Sequence, residues 1–382
     1  LNLQNAVFDK ADLSNTSFKN ANIDGARFMF ANLSNSNLLD RTDLSNINLT
    51  GTDLSNMNLQ GKNLTGTMLV DADLAGSILT GADLSTANLT YADLTNTNLT
   101  GTNLSDTNLY RTDLSEMDLR DTIFTNADFR AIVLYESILP DSMLVDNDFE
   151  YATFNSVDLS GKDLSFSNFH YASLDNANLE GANLHGAILI QIDFTKIKNK
   201  SLAGADLSYT SLAHSNLSGV DLSEASLVAT NFWKANLSGL DFTVISEASA
   251  DGLNFIESNL SNSNFEGVDL SPKKTYFNIF KNKAHLNNLA NLDWTNNMLE
   301  RELFSDARSQ FIISTEVRGN DLAVTYIFFN TFANANLEDA NFKNAKLLNT
   351  NFYSANLTNA DLSGTDLRKA FLGGADLSNA NL

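Results

Sequence analysis

From Thr42 to Thr122 the chain repeats one five-residue phrase: TDLSN INLTG TDLSN MNLQG KNLTG and onward. Every fifth residue is leucine, from Leu44, Leu49 and Leu54 to Leu119, and two places before each stands a small or modest residue, most often Thr or Ala. Asp or Asn usually lies between the two, and Ser, Thr, Gly or Asn usually follow. A helix needs apolar residues at a spacing of about 3.6 and a flat half-buried strand at about two, so an apolar period of five fits neither. It fits a solenoid in which each repeat makes one side. The large residue and the small one two before it point inward, the residue between them faces water, and the polar residues that follow turn the chain through a corner.

The A-D-L-S-N and A-N-L-T-G units resemble the pentapeptide-repeat family. That resemblance implies an all-β solenoid, a right-handed quadrilateral parallel β-helix. Four sides would close a coil of about twenty residues, and coils would stack at roughly 4.8 Å. Periodicity alone does not give the number of sides. Repetition over nearly the whole chain makes the signal specific.

Inward centres run Leu3, Phe8, Leu13, Phe18, Ile23, Phe28, Leu33 and Leu38. One extra residue near 39–41 then moves the series to Leu44, which a bulge at one corner would absorb. The phase next holds to Phe194, and Phe129, Phe149 and Phe169, twenty apart, are expected to stack as an aromatic ladder. Two three-residue delays follow, near 195–199 and 243–247, the second leading to a small centre at Ala250. Their extra residues are expected to loop into water. The five-residue rule lapses from 271 to 319. The reading is one continuous solenoid over 1–270 and 320–382, with weak in-phase centres at Leu322 and Ile327, interrupted by a non-repeat insertion at 271–319.

Within the insertion, Asn297 followed by Glu300 resembles a helix N-cap with its reciprocal acid, and Leu299, Leu303, Ala307 and Phe311 recur at four-residue spacing. The insertion is therefore expected to be partly helical, with Trp294 beside the helix as a large amphipathic anchor. Two readings stand. It is a lid that hides its own apolar stripe, or a surface on which Trp294, Leu299, Leu303 and Phe311 dock a protein partner. Lysines collect on the interruptions (Lys273, Lys274, Lys281, Lys283 and Lys196, Lys198, Lys200), either as solubilising residues or as contacts for an anionic partner. No Asn-Gly pair occurs, so antiparallel hairpins are not expected.

Charge sharpens the picture. With 46 Asp and Glu against 24 Lys and Arg, the formal net charge is −22, which disfavours direct binding to nucleic acid because phosphates need cations. Asp53, Asp73, Asp93 and Asp113 fall twenty apart and are expected to stack as an outward carboxylate column. Such a column would be relieved by a cation or a cationic partner; equally, Asp and Asn serve as interchangeable outward fillers screened by water and salt. The chain has no cysteine, so disulfides and thiol chemistry are removed, and no apolar run approaches a membrane span. His170, His185, His214 and His285 share no metal-ligand spacing, and nucleophile elbows, phosphate loops and dinucleotide fingerprints do not occur. Neither catalytic residues nor a cofactor or metal is expected. The repeat generates Asn-x-Ser/Thr triplets throughout, which a secretory route would over-glycosylate, and this favours a cytoplasmic setting.

Two functions fit. One is a non-enzymatic structural or protein-interaction rod whose partner docks on repeated polar faces or on the insertion. Because the repeat is in phase at Leu3 and at Leu382, end-to-end association into homo-oligomers or filaments is expected. The other follows from the resemblance: some pentapeptide-repeat proteins are acidic DNA mimics that occupy the DNA-binding surface of type II topoisomerases such as gyrase. This chain is similar to them in repeat, charge and corner loops. It is longer, and its insertion has no counterpart that matches residue by residue, so no functional residues carry over.

Overall fold

The computed structural model describes residues 1–38, 40–245, 252–271, 274–277, 314–318, 321–327 and 330–382. Most five-residue sides contribute one bridged residue rather than a strand, usually the Asp or Asn between the inward pair. Two hydrogen bonds fix it. Leu54 N–H donates to the carbonyl of Asp73 at 2.7 Å, and Asp73 N–H donates to the carbonyl of Thr52 at 3.1 Å. Bridged residues are parallel and mostly twenty apart, so four sides complete a turn of a β-helix solenoid.

The corners explain the polar residues. Thr52 N–H returns to the carbonyl of Leu49 at 3.1 Å, and Gly51 between them has a φ of 63°, the left-handed conformation that makes Gly and Asn frequent at this place. At the bridged position, Oδ1 accepts the N–H two residues on, as Asp53 does from Ser55 and Asn88 from Thr90, both at 3.0 Å. Thr can replace Ala at many small inward positions because its buried hydroxyl finds a carbonyl, often in the previous coil. Thr102 Oγ1 donates to Leu79 at 2.8 Å and Thr112 Oγ1 to Leu89 at 2.9 Å. Left unpaired, each such hydroxyl would cost about 1–3 kcal/mol.

Residues Leu1–Asn178 form one compact unit. Its interior is the leucine series from Leu44 to Leu119 and then phenylalanines; Phe129, Phe149 and Phe169 stack as expected, with centroids 5.4 and 5.2 Å apart. At the one-residue phase shift the bridge Arg27–Asn48 spans twenty-one residues, and Arg41 Nη1 donates to the carbonyl of Ala21 at 2.8 Å. One side departs from the inward rule without breaking phase. A 3-10 turn at Asp141–Met143 exposes Ser142 and buries Met143, reversing the small-inward, middle-outward order. Between a hydroxyl and a thioether chain, the interior takes the apolar one.

Residues Leu179–Leu382 form the second unit. The extra residues near 195–199 do not all loop outward. The 3-10 turns Phe194–Lys196 and Lys198–Lys200 fold Ile197 into the interior at 3% exposure, while Lys196, Lys198 and Lys200 stay in water. Burying that aliphatic side chain contributes about 1.5–3 kcal/mol, enough to redirect a short loop. The bridges Asn183–Asp206 and Asn231–Asn254 span 23 residues, so both delays leave the stacking intact. Ala250 lies outside the described residues.

After Leu270 the span of the bridges jumps: Asn254–Thr331, Asn259–Asn336, Asn264–Asn341 and Asp269–Lys346. The coil that begins at Thr331 therefore stacks directly on the coil that ends at Leu270. Resumption at 320, with centres at Leu322 and Ile327, is corrected by the structure. Strands β1 (Lys274–Phe277), β2 (Ser314–Arg318) and β3 (Asp321–Ile327) form an antiparallel sheet in the order β1-β3-β2. This pairing also runs against the expectation drawn from the missing Asn-Gly pair. The register joins Arg318 to Asp321, and the two residues between them in the sequence are Gly-Asn, itself a two-residue hairpin signal. The helix expected around Asn297 to Phe311 lies outside the described residues.

Two phenylalanine columns run past the insertion. Phe232, Phe255, Phe332 and Phe352 stack in one and Phe242, Phe265 and Phe342 in the other, at 4.3 to 5.3 Å, with edge-on contacts between the columns. The stacking distance is set by the coil rise, roughly 4.8 Å.

Candidate interaction surface

Bridging from coil to coil lines the outward residues into columns. Elsewhere in the first unit an amide holds the carboxylate beneath it: Asn63 Nδ2 donates to Asp43 Oδ1 at 3.1 Å, Asn103 to Asp83 at 3.0 Å and Asn168 to Asp148 at 2.9 Å. The acidic column differs. Asp53 bridges Asp73, Asp73 bridges Asp93 and Asp93 bridges Asp113, with no amide among them; the first three are exposed and Asp113 half-buried. Each Oδ1 accepts the N–H of its own turn, from Ser55, Ala75, Thr95 and Ser115, at 2.9 to 3.0 Å. The Ser55 hydroxyl and then its N–H hold the Asp53 carboxyl below the usual range. These carboxylates are thus structural acceptors and, together, an uninterrupted run of like charge.

One corner of the same unit carries exposed rings. Its left-handed positions are Tyr91, Arg111, Ala131, Tyr151 and Tyr171, with φ between 55° and 61°. Tyr91 meets Tyr110 edge-on at 6.2 Å, and the Arg111 guanidinium lies 5.6 Å and 5.4 Å from the two ring centroids. Arg111 Nη1 donates to the Tyr91 hydroxyl at 3.2 Å. Tyr151 and Tyr171 are parallel within 2° at 5.0 Å, His170 stacks on Tyr171 at 4.0 Å, and His170 Nδ1 lies 3.8 Å from Glu150. Tyr91, Tyr151 and Tyr171 are 48%, 56% and 44% exposed. Between the two ring groups lies a notch of about 500 Å³ lined by Tyr91, Tyr110, Arg111, Ala131, Val133 and Tyr151. The sequence carries a signal for it, since Tyr91, Tyr151 and Tyr171 share the twenty-residue register, which was followed above for inward phenylalanines and outward aspartates but not for turn positions.

The coil assembles the acidic column, whereas Trp294, Leu299, Leu303 and Phe311 lie outside the described residues. Among the described residues no group of three or more His, Cys, Asp or Glu could hold a metal ion, and no helix is long and apolar enough to cross a membrane.

Known families give one match, pentapeptide repeats, over residues 2–38, 39–66, 47–85, 69–106, 87–126, 102–141, 163–198, 205–243, 240–271, 335–374 and 355–382. The chain belongs to the pentapeptide-repeat family. No curated protein matches it. Among solved structures, it is similar to a pentapeptide repeat protein from the Arabidopsis thaliana thylakoid lumen, at 24% identity and a TM-score of 0.26, over 27% of this chain and 72% of that one. HetL, a pentapeptide repeat protein involved in heterocyst differentiation regulation from the cyanobacterium Nostoc sp. strain PCC 7120, is similar at 20% identity and a TM-score of 0.18, over 88% and 89%. QnrB1, a plasmid-mediated fluoroquinolone resistance protein, is similar at 17% identity and a TM-score of 0.23, over 63% and 85%. Membership of the family rests on the repeat and not on these alignments.

Proposed function

We propose that the protein is a non-enzymatic interaction scaffold, a right-handed quadrilateral β-helix that holds side chains at fixed spacing for protein partners. The observation that carries this reading is the exposed tyrosine corner of the first unit, where the backbone N–H groups of Tyr91 and Tyr151 donate to the next coil and Tyr171 stacks on Tyr151. Rings held in this way lose little conformational freedom on binding, and they present apolar area with a polar tip. Membership of a repeat family supports the same reading, since stacked repeats bind through extended faces. Under it, Trp294, Leu299, Leu303 and Phe311 are a second docking stripe on the insertion.

A second reading is favoured by one specific observation, the unbroken column from Asp53 to Asp113 in a chain of net charge −22. Carboxylates repeating at roughly 4.8 Å on stacked coils suit a basic groove built for a polyanion, so the protein would be an acidic DNA mimic bound by a type II topoisomerase such as gyrase.

A pull-down at low and high salt separates the two, using the parent, Trp294→Ala, Tyr151→Ala, and a variant with Asp53, Asp73, Asp93 and Asp113 all changed to Asn. The mimic reading requires gyrase to be captured at low salt, lost at high salt and released by the four-Asn variant. The scaffold reading requires a protein partner that persists at high salt and is lost with Tyr151→Ala or Trp294→Ala. A parent that captures no protein at either salt sinks both.

A further inference from the structure

The tyrosine corner is a stack with one level left out. Tyr151 and Tyr171 lie face to face at 5.0 Å, close to the rise of one coil, and the next level on the open side of Tyr151 is held by Ala131. The backbone there would carry a ring: Ala131 has a φ of 55° and Tyr151 one of 61°. A methyl group therefore stands where a third tyrosine would continue the stack, and the space it leaves is the notch of about 500 Å³.

The opposite wall of the notch is Arg111, and its partners are unusual for this chain. Arg27, Arg120, Arg130 and Arg368 each pair with an aspartate at 2.6 to 2.8 Å. Arg111 has no carboxylate within ion-pair distance among the described residues, and its neighbours are the rings of Tyr91 and Tyr110. In a chain with nearly twice as many acids as bases, an exposed guanidinium without an acid is out of keeping with its surroundings. Its rigid fork of donors remains available to a planar anion.

We propose that the notch over Ala131 takes an aromatic side chain of a partner protein, stacked on Tyr151, with a carboxylate of the neighbouring partner residue on Arg111. The ring restores the missing level of the stack, a contact worth more than its area alone, and the carboxylate supplies the acid that Arg111 lacks. The remaining charge of the chain repels an acidic segment at long range, but at physiological ionic strength that repulsion fades over about 8 Å, whereas the Arg111 contact is at hydrogen-bond distance. Affinity is therefore expected to hold or rise when salt is raised, the reverse of the behaviour required of a polyanion mimic. This inference rests on the scaffold reading and specifies one partner chemistry for it.

The test uses the full chain with isotope-labelled tyrosine and three capped peptides, Gly-Asp-Phe-Asp-Gly, Gly-Lys-Phe-Lys-Gly and Gly-Asp-Leu-Asp-Gly, titrated by nuclear magnetic resonance. Asp-Phe-Asp is expected to shift the ring signals of Tyr91, Tyr110 and Tyr151 and to bind at least about fivefold more tightly than either control. Ala131→Tyr, which fills the notch on a backbone that already carries tyrosine at 151, is expected to abolish those shifts. Arg111→Gln, an exposed change, is expected to weaken Asp-Phe-Asp by about fivefold and to erase its advantage over Lys-Phe-Lys. Equal shifts from all three peptides, tightest binding by Lys-Phe-Lys, or shifts that survive Ala131→Tyr in a variant with the parent's circular dichroism would overturn the proposal. The scaffold reading fails separately, through a parent that captures no protein in the pull-down.

Discussion

Asn330 donates its side-chain amide to the carbonyl of Leu270, sixty residues earlier, at 2.6 Å, and its Oδ1 accepts the N–H of Leu253 at 2.7 Å. One residue, 1% exposed, thus ties together the place where the insertion leaves the coil and the place where it returns. Removing it orphans a buried donor and a buried acceptor. Asn330→Ala is expected to lower the unfolding free energy by about 1–3 kcal/mol in a urea titration. An unchanged midpoint and slope would mean that another group holds this junction.

The insertion should be dispensable to the coil. Replacing residues 272–329 by one glycine gives the corner after Leu270 the same length as its neighbours, and the bridges from Asn254 to Thr331 and from Asn264 to Asn341 are already in place. The shortened chain is expected to keep its far-ultraviolet circular dichroism and to melt within about 4 °C of the parent, the shift that roughly 1 kcal/mol brings. An aggregated or non-cooperative product would show that the insertion holds the second unit together.

Leu94 is fully buried in the first unit. Leu94→Asp places an unpaired carboxylate in a dry interior at a cost of several kcal/mol, about the size of a whole domain's stability. Loss of cooperative unfolding is expected, while Leu94→Met, close to it in volume, is expected to fold. Native stability in Leu94→Asp would disprove the inward assignment of the centres.

Acid should act through the turn carboxylates. The hydrogen bonds of Arg120 and Arg368 hold Asp118 and Asp366 at about 2, and Ser55 and Ser85 lower Asp53 and Asp83. A folded-state pKa depressed below an unfolded value near 3.9 gives stabilisation that is complete at neutral pH and lost as pH falls from about 4 to about 2. Protonation also relieves the repulsion among the acids, which acts in the opposite direction. The informative quantity is therefore the difference between parent and Asp118→Asn/Asp366→Asn: the double variant's melting temperature is expected to fall less steeply below pH 4. Parallel curves would assign the acid response to other groups.

The outward column permits a separate check. In Asp73→Asn the side-chain oxygen still accepts from Ala75, and the new amide can donate to Asp53 as Asn63 does to Asp43. The variant is expected to be at least as stable as the parent in thermal melts, with the largest gain at low salt where like charges are least screened. A destabilised variant would mean that the Asp73 charge has a local partner.

What was legible in the sequence is what repeats. A period of five fixes which residues face inward, and the register of twenty places Phe129 under Phe149 and Asp53 under Asp73. Departures depend on a competition that spacing cannot decide. Ser142 and Met143 exchange roles, and Ile197 turns inward from a loop, because burial of one apolar side chain outweighs the local pattern. Leu322 and Ile327 fit the five-residue phase by coincidence, since they belong to a strand paired antiparallel, and the Gly-Asn pair that precedes Asp321 in the sequence is the clue that tells the two apart. The tyrosine corner went unread because its residues occupy turn positions, where side-chain type is free to vary and stacking is visible only when the coils are superposed.

The corners carry a further implication, one of handedness. Tyr91, Arg111, Tyr151 and Tyr171, like most corner residues of this chain, sit in the backbone region that suits mirror-image amino acids, a conformation that costs an L-residue about 1–2 kcal/mol. A coil standing alone would bear that strain at each corner that is not glycine, with only its own short turns to oppose it. Stability must therefore arrive with neighbouring coils, to whose carbonyls many corner N–H groups donate, as Gly51 does to Val70. D-residues placed at those corners would relieve the strain, as glycine does at Gly51 and Gly61, rather than break the fold.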